Sequence, residues 1–482
     1  MITGQNTLIS LLRFFAISCL VFASGEIYGQ KVWTLKECVD YAIANNLSVK
    51  QQSINNDINK INVDQSRWSF APTLDGSGST SYNWGRTVDP FAYTFTNQEL
   101  RSTNLSLNGG ITLFNGFRLQ NTLEQSKLNY LASQSDLKKI QNDISLNVIS
   151  EYLQILYAKE QIGIMKVRIE ESKKQLQRTT LLVDAGTLTR GNQLDAETQV
   201  ANEELSLVNA ENQLAAAKLN LTQLLELRDA KDFDVEKPTT DLPYEQILSQ
   251  TPEQIYELSI KHLPEITSAE YNLQSSEKDI AISRSQLLPR ISMFGNISTG
   301  YSSATQNAVG APIDLGYQPT GAITQSNELV LAPVYFQDFE DTQFSDQINN
   351  NVNKNVGISL AIPIFSGFSA RSNVSRSKLN YLNAEVTAQQ TKNTVYKSIQ
   401  QAYNDAISSQ KKYFATTKSV EALQEAYLYA DKKYAAGISN SLELLVASNS
   451  LTRAQSEQLQ AKYDFIFKVK ILDFYAGNPL VY

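Results

Sequence analysis

The hexapeptide SKLNYL is written twice in this chain, at Ser126–Leu131 and at Ser377–Leu382, an offset of 251 residues. Chance repetition of six letters in 482 residues is improbable, and the match runs well beyond them. At the same offset LFNGF (Leu113–Phe117) faces IFSGF (Ile364–Phe368). DAGTL (Asp184–Leu188) faces AAGIS (Ala435–Ser439), which aligns Gly186 with Gly437. Upstream the offset shrinks: NNLSVK at Asn45 matches KHLPEI at Lys261, and Pro72 lies 217 residues before Pro289. The second copy therefore carries 34 extra residues between its proline and its Phe-x-Gly-Phe segment. Internal repeats constrain architecture before any local signal does. This chain must fold as two like halves, over 30–256 and 257–482, with one loop enlarged.

Each copy has the same local grammar. A helical stretch runs to Pro72 or Pro289, where proline's missing N–H and fixed φ stop it. Two short alternating segments follow, around a loop. Leu105, Leu107, Ile111 and Leu113 share one parity, while Asn104, Ser106, Asn108 and Thr112 share the other. Val356, Ile358, Leu360, Ile362 and Ile364 alternate with Gly357, Ser359, Ala361 and Pro363 in the same way. A period of two is a strand with two unlike faces. The expected strands cover about 73–84, 104–114, 290–301 and 355–365, with Tyr82, Trp84 and Tyr301 at their ends. Alternating strands of about ten residues bounded by aromatics resemble those of a membrane β-barrel, though strand by strand a half-buried soluble sheet is the better reading.

The helices decide between these. No proline occurs from Phe91 to Lys237 or from Ile364 to Asn478. Helices are expected over about 118–185, 190–227, 369–436 and 440–471, broken only at Gly186 and Gly437. Around 65 helical residues span roughly 100 Å, several times an ordinary domain helix. Their apolar stripes, such as Leu137, Ile140, Ile144, Tyr152 and Leu156, are narrow and set among Gln, Asn and Ser. Such stripes suit helices packed in a single layer, wet on both faces, with coiled-coil-like seams. A free-standing coiled-coil spacer would explain the stripes but neither the strands nor the duplication.

The first 29 residues read as an export signal: an apolar core from Leu8 to Ala23, then small residues at Ser24, Gly25 and Gly29. Cys19 in AISC distantly matches a lipidation box, but LVF follows it and places it within the apolar run. Cys38 is then the one mature thiol, so no internal disulfide can form. A net charge of −7 without a basic stripe argues against a nucleic-acid partner. One histidine and two cysteines are too few for a His/Cys metal cluster, and no G-x-x-x-x-G-K-[ST] or H-E-x-x-H is present. An enzymatic reading would rest on His262 alone, inside a duplicated structural segment; no enzyme activity and no cofactor are expected.

Four membrane strands cannot close a barrel, and an open edge in hydrocarbon leaves backbone groups unpaired at several kcal/mol each. Two copies give eight strands, a barrel whose interior side chains fill. Three copies give twelve, so a homotrimer is expected.

The layout resembles the TolC-like outer-membrane efflux channels over nearly the whole mature chain. The residues that carry the likeness are WTLKECVDYAIANNLSV (Trp33–Val49), Pro72 and Pro289, LFNGF and IFSGF, and the helix-hairpin tips DAGTLTRGNQLDAETQ and KYAAGISNSLELLVAS. The resemblance implies a trimeric 12-stranded outer-membrane β-barrel continuous with a long periplasmic α-barrel. It also implies an equatorial belt over roughly Asp229–Ser259 and Leu472–Tyr482. The implied role is a passive exit duct of a tripartite efflux pump, served by a periplasmic adaptor and an inner-membrane pump of RND or ABC type. An outer-membrane duct for type I protein secretion shares this architecture.

By the same resemblance the tube closes at the hairpin tips. The family's gate acid corresponds to Glu443 and its gate tyrosine to Tyr434, with Asp195 and Asn192 as the first-repeat counterparts. The chain departs from the family pattern twice: Ser439 stands at a position usually basic, and Val446 at that of a second acid. Glu443 reads equally as a helix-start carboxylate favoured by the macrodipole. Gly186, Thr187, Leu188, Gly437, Ile438 and Ser439 form the tips on which an adaptor would dock. The enlarged loop Ser302–Lys354 reads as a solvated flap, or as a cap on the mouth or a contact for a surface partner.

Overall fold

The computed structural model describes residues 32–88, 93, 95–96, 99–228, 233–237 and 245–478. The export signal over 1–29, Cys19, and parts of both equatorial segments (229–232, 238–244 and 479–482) lie outside the described residues. In chain order the strands are β1 (Val32–Trp33), β2 (Thr73–Asn83), β3 (Thr87–Val88), β4 (Phe95–Thr96) and β5 (Leu100–Phe114), then β6 (Asp234–Val235), β7 (Arg290–Ser302), β8 (Gln306–Ile323), β9 (Leu329–Asp341) and β10 (Asn353–Ala361). The helices are α1 (Leu35–Asn45), α2 (Leu47–Trp68), α3 (Arg118–Asp184), α4 (Arg190–Leu224) and α5 (Glu245–Leu248), followed by α6 (Pro252–Ser259), α7 (Pro264–Arg284), α8 (Phe344–Asn350), α9 (Ser369–Ala435) and α10 (Ser441–Ala476). Two compact units result. One takes Met1–Ile58, Leu131–Tyr271 and Val386–Tyr482; the other takes Asn59–Tyr130 and Asn272–Glu385. Each unit draws on both repeats.

The second unit holds an antiparallel sheet of order β10-β7-β5-β2. Its register sorts most side chains by kind, with Phe294 on the polar face and Arg101 and Lys354 near the starts of β5 and β10 on the apolar one. Leu74, Leu107, Ile111, Met293, Ile297, Val356 and Ile358 share one face, because Gly76 pairs with Leu107, Leu107 with Ile297, Ile111 with Met293, and Met293 with Ile358. Ser77, Ser106, Asn108, Asn296, Ser298 and Asn355 share the other. On the polar face the hydroxyls of Ser77 and Ser106 lie 2.7 Å apart, and Asn296 Nδ2 donates to Asn108 Oδ1 at 2.6 Å. The alternation of small polar and branched apolar residues thus becomes two unlike surfaces, as a two-residue period requires. Gly357 has a packing reason: a Cβ there would lie 2.6 Å from the Phe294 ring, which lies across the glycine. Strand β10 starts at Asn353 and ends at Ala361, short of the expected Ile364 side, since Pro363 cannot donate to a ladder. Strand β5 begins at Leu100, four residues before the expected start.

The enlarged loop is solvent-exposed, and it is folded. It folds into a two-stranded ribbon, β8 with β9, and a short helix, α8. The ribbon's register slips between Val309 and Ile313, Asp314 and Tyr317, and Pro319 and Ile323, and Gly310, Gly316 and Gly321 take positive φ at those slips. Each slip puts unpaired residues into β8, and the one at Gly316 also reverses the parity of the sequence, so alternation alone did not announce the ribbon. The ribbon's foot is fixed. Gln347 is buried, accepts from Ser302 N–H at 2.9 Å and donates to the Ser302 and Thr342 carbonyls at 2.9 and 3.0 Å. Asn351 donates to the Gly300 carbonyl at 2.8 Å.

The first unit is helical. A capping box starts α1: Thr34 Oγ1 accepts from Glu37 N–H at 3.2 Å, and Glu37 Oε2 accepts from Thr34 N–H at 2.9 Å. The buried side of α1, with Cys38, Val39 and Ala42, packs with Val148, Ile149, Tyr152 and Leu156 of α3 and Leu221 at the end of α4. A second core joins Ile255, Leu263 and Ile266 to Ile399 of α9 and to Phe465, Val469 and Leu472 of α10. Strands β1 and β6 pair in parallel, and the Tyr152 hydroxyl donates to the Glu236 carbonyl at 2.6 Å and the Trp33 carbonyl at 3.2 Å. No helix among the described residues is long and apolar enough to cross a membrane.

Candidate functional site

The first long helix of each hairpin stops at a glycine for the same reason. Gly186 has φ 74° and Gly437 φ 70°, a left-handed turn open to glycine at no steric cost. Thr187 N–H donates to Leu182 O at 2.8 Å and Gly186 N–H to Val183 O at 2.9 Å. At the second tip Ile438 N–H donates to Lys433 O at 2.9 Å and Gly437 N–H to Tyr434 O at 3.1 Å. These paired bonds satisfy the last carbonyls of α3 and α9, a Schellman closure. The chain restarts as helix at once: Asn440 Oδ1 accepts from Glu443 N–H at 3.0 Å, and Asn192 Oδ1 accepts from Thr189 N–H at 3.2 Å and its hydroxyl at 2.7 Å. Ile438 is 76% exposed, Gly186, Thr187 and Gly437 are exposed, and Leu188 and Ser439 are half-buried.

Three of the four expected gate residues come together. Asn192, Asp195 and Tyr434 line one cavity of about 410 Å³, with Glu171, Arg178, Thr179, Asp431 and Ser441. Tyr434 is buried, its hydroxyl 3.4 Å from that of Thr179, with the Arg178 guanidinium 6.0 Å from its ring centre. Asn192 Nδ2 donates to Ser441 Oγ at 3.1 Å, tying the first hairpin to the second. Glu443 does not join them. Its carboxylate meets Lys433 Nζ at 3.3 Å across the hairpin turn, and Lys433 also sits 5.0 Å from the Tyr429 ring centre. An exposed pair of this kind contributes little to stability, but it hands the acid a counter-charge from its own hairpin.

The sequence reading missed Arg168. It is buried on α3 and reaches α10: Nε donates to Thr452 Oγ1 at 2.6 Å and a terminal nitrogen to Ser448 Oγ at 3.0 Å. The other terminal nitrogen pairs with Glu171 at 2.6 Å. The Tyr427 ring lies 5.1 Å from the guanidinium, and burial raises the Tyr427 phenol above its ordinary value. Nearby, buried Glu203 on α4 accepts from Ser172 Oγ and Gln199 Nε2, each at 2.6 Å. A buried charge must be paired to be tolerated, so these networks fix how the hairpins lie together. An arginine flanked by Met165 and Ile169 on an apolar stripe was the available signal.

A second charged clasp closes the equatorial region. Asp234 meets Lys159 at 2.7 Å and Lys218 at 3.1 Å; Glu160 meets Lys237 at 2.7 Å, Lys462 at 3.5 Å and the Tyr463 hydroxyl at 2.9 Å. Burial pulls both carboxyls upward, but their cationic partners outweigh it and hold both below their ordinary values of 3.8 and 4.5. Carboxyls lowered by folding contribute fully above those values, and that contribution is lost as pH falls through the lowered folded-state ones. Thermal unfolding should therefore hold steady from neutral pH down to about pH 5 and fall below it. The double variant Asp234→Asn, Glu160→Gln should flatten that fall, and an unchanged acid slope would refute this role. His262 lies away from the cavity, against Gly477, where a Cβ would sit 2.9 Å from its ring. Among the described residues no group of three or more His, Cys, Asp or Glu could hold a metal ion.

The family model described as outer membrane efflux protein matches residues 38–226 and 255–478. The alkaline protease secretion protein AprF of Pseudomonas aeruginosa is 23% identical over 82% of this chain and 75% of its own length. The cation efflux system protein CusC of Escherichia coli is 24% identical over 81% and 74%. Among solved structures, the outer membrane protein VceC of Vibrio cholerae superposes with a TM-score of 0.72 at 15% identity, covering 92% of this chain and 96% of that one.

Proposed function

Since the chain belongs to the outer membrane efflux protein family, whose members are outer-membrane channels, we propose that it is the passive exit duct of a tripartite export machine. The observation that carries this is the four-stranded sheet, apolar on one face, amide- and hydroxyl-lined on the other, and paired on only one side at β2 and at β10. In a bilayer those edges demand partners, and a closed ring of copies supplies them. Three copies bring twelve strands around a water-filled interior. The apolar face meets lipid and the polar face meets the cargo.

The helical hairpins then form the periplasmic part, and their tips take the periplasmic adaptor, which couples the duct to an inner-membrane pump. The contacts at the tips suit a gate. Asn192–Ser441, Tyr434–Thr179 and the Arg168 network hold the two hairpins of one chain together, so widening requires them to part. The protein forms and breaks no covalent bond in this role; the pump supplies the energy.

CusC's name records cation efflux and AprF's records protease secretion, so small-molecule export and type I secretion both have a relative behind them. Small-molecule export is the reading preferred here. Deleting the gene should raise intracellular accumulation of a fluorescent pump substrate, and restoring it should reverse this. Unchanged accumulation together with loss of a secreted polypeptide from the medium would transfer the protein to the secretion class. Ohmic conductance of the purified protein in a planar bilayer is expected in either case, and its absence would refute the duct.

A further inference from the structure

We propose that the β8–β9 ribbon of one copy packs on the β2–β5 turn of a neighbouring copy, so that ribbons and turns interlock as a collar around the outer mouth. The inference rests on the closed-ring reading above. Both surfaces are apolar and open in the single chain. On the ribbon, Tyr317, Pro319 and Ile323 stand opposite Pro333, Leu331 and Leu329, and these six form one side of its distal half. Ile313, Leu315, Tyr317, Leu331, Tyr335 and Phe336 are all more than half exposed. On the turn, Trp84 is 74% exposed, Tyr93 82% and Phe95 71%. Exposed large apolar residues grouped in this way suit a contact better than a free surface.

The sheet says which copy provides the cover. Every neighbouring pair in β10-β7-β5-β2 is antiparallel, so β2 of one copy and β10 of the next also run antiparallel when the ring closes. That closure sets the outer end of β2, and the turn after it, beside the start of the neighbour's β10. The ribbon enters β10 through α8, and its foot is held there by Gln347 and Asn351. The ribbon is thus an arm with a fixed base placed at the boundary between copies, not a tether.

Charge supports the same neighbour. Residues 302–353 contain six carboxylates (Asp314, Glu328, Asp338, Glu340, Asp341 and Asp346) and neither lysine nor arginine. Three of these, Asp338, Glu340 and Asp341, cluster at the foot, opposite Val309, Asn307 and Gln306. The turn offers Arg86, whose guanidinium lies 5.0 Å from the Phe95 ring centre, beside the apolar group that would be covered. A base-free acidic ribbon is poorly matched to anionic lipid headgroups, and two ribbons would repel at their feet. An aromatic turn with one arginine matches both the apolar half and the acidic foot.

The test uses the full chain in outer membranes with Cys38→Ser. Arg86→Cys combined with Asp338→Cys, mildly oxidised, is expected to give covalent dimers and trimers on non-reducing gels, absent from each single variant. Independently, a bulky maleimide should label Leu331→Cys several-fold more slowly than Glu328→Cys in the ribbon's turn. Trimers that show only an internal crosslink, or none, with equal labelling rates, would overturn the collar and leave the closed ring standing. A crosslink to a different protein would do the same. Extracts that are monomeric by native mass would overturn the ring and the collar together.

Discussion

Lysine at position 358 is expected to remove this protein from the outer membrane, whereas lysine at position 355 is expected to leave it there. The two residues are three apart on one strand and differ by a face. Ile358 pairs with Met293, and Met293 with Ile111, all on the apolar side. Asn355 pairs with Asn296, and Asn296 with Asn108, all on the polar side. A lysine facing lipid near the middle of a transmembrane strand costs about 2–4 kcal/mol, and a ring of three copies bears that cost three times. The same side chain on the polar face stays in water. Immunoblots of outer-membrane fractions, read for protein that resists urea extraction, decide the matter. Equal recovery of Ile358→Lys and Asn355→Lys would mean that the sheet does not face lipid as assigned.

Gly437→Pro is expected to reduce export to the level of a deletion strain while leaving membrane-inserted protein near its usual amount. Glycine holds φ at 70° there, and its N–H closes on Tyr434. Proline fixes φ near −65° and has no N–H, so the turn must open, at a local cost of about 3 kcal/mol. Tyr434 sits three residues before and Lys433 four, so their contacts with Thr179 and Glu443 go with it. The cores around Ile255, Ile399 and Phe465 are far along the helices and should persist. Ile438→Glu offers a gentler version, adding charge to an exposed tip without touching the turn. Accumulation of a fluorescent substrate, measured beside the amount of inserted protein, separates docking from assembly. Undiminished export by both variants would rule the tips out as the docking surface.

Much of this fold could be read from residue order. The glycines at 186 and 437 mark where α3 and α9 end because a left-handed residue and two capping bonds are needed there, and both are local requirements. The face of each strand was legible from Leu105, Leu107 and Ile111 against Ser106 and Asn108, because an intact ladder preserves parity. What stayed hidden depends on partners distant in sequence. The ribbon was obscured because unpaired residues around Gly310, Gly316 and Gly321 interrupt the ladder. Arg168 finds Ser448 and Thr452 from some 280 residues away, a pairing no local pattern encodes. The Glu443 carboxylate meets Lys433 because the hairpin register places them together. Asn192 and Tyr434, chosen by resemblance, lie around one cavity, and only the packing of four helices could show that.

The wetted side of the sheet has one more consequence. Its only ionised side chains are Asp75 and Arg290, of opposite sign, among serines and asparagines. If the ring closes as proposed, these charges sum to zero and the wall carries no net charge. In the proposed duct, discrimination by valence would then fall to its two ends, the acidic ribbons at the mouth and the hairpin tips, rather than to the wall between them.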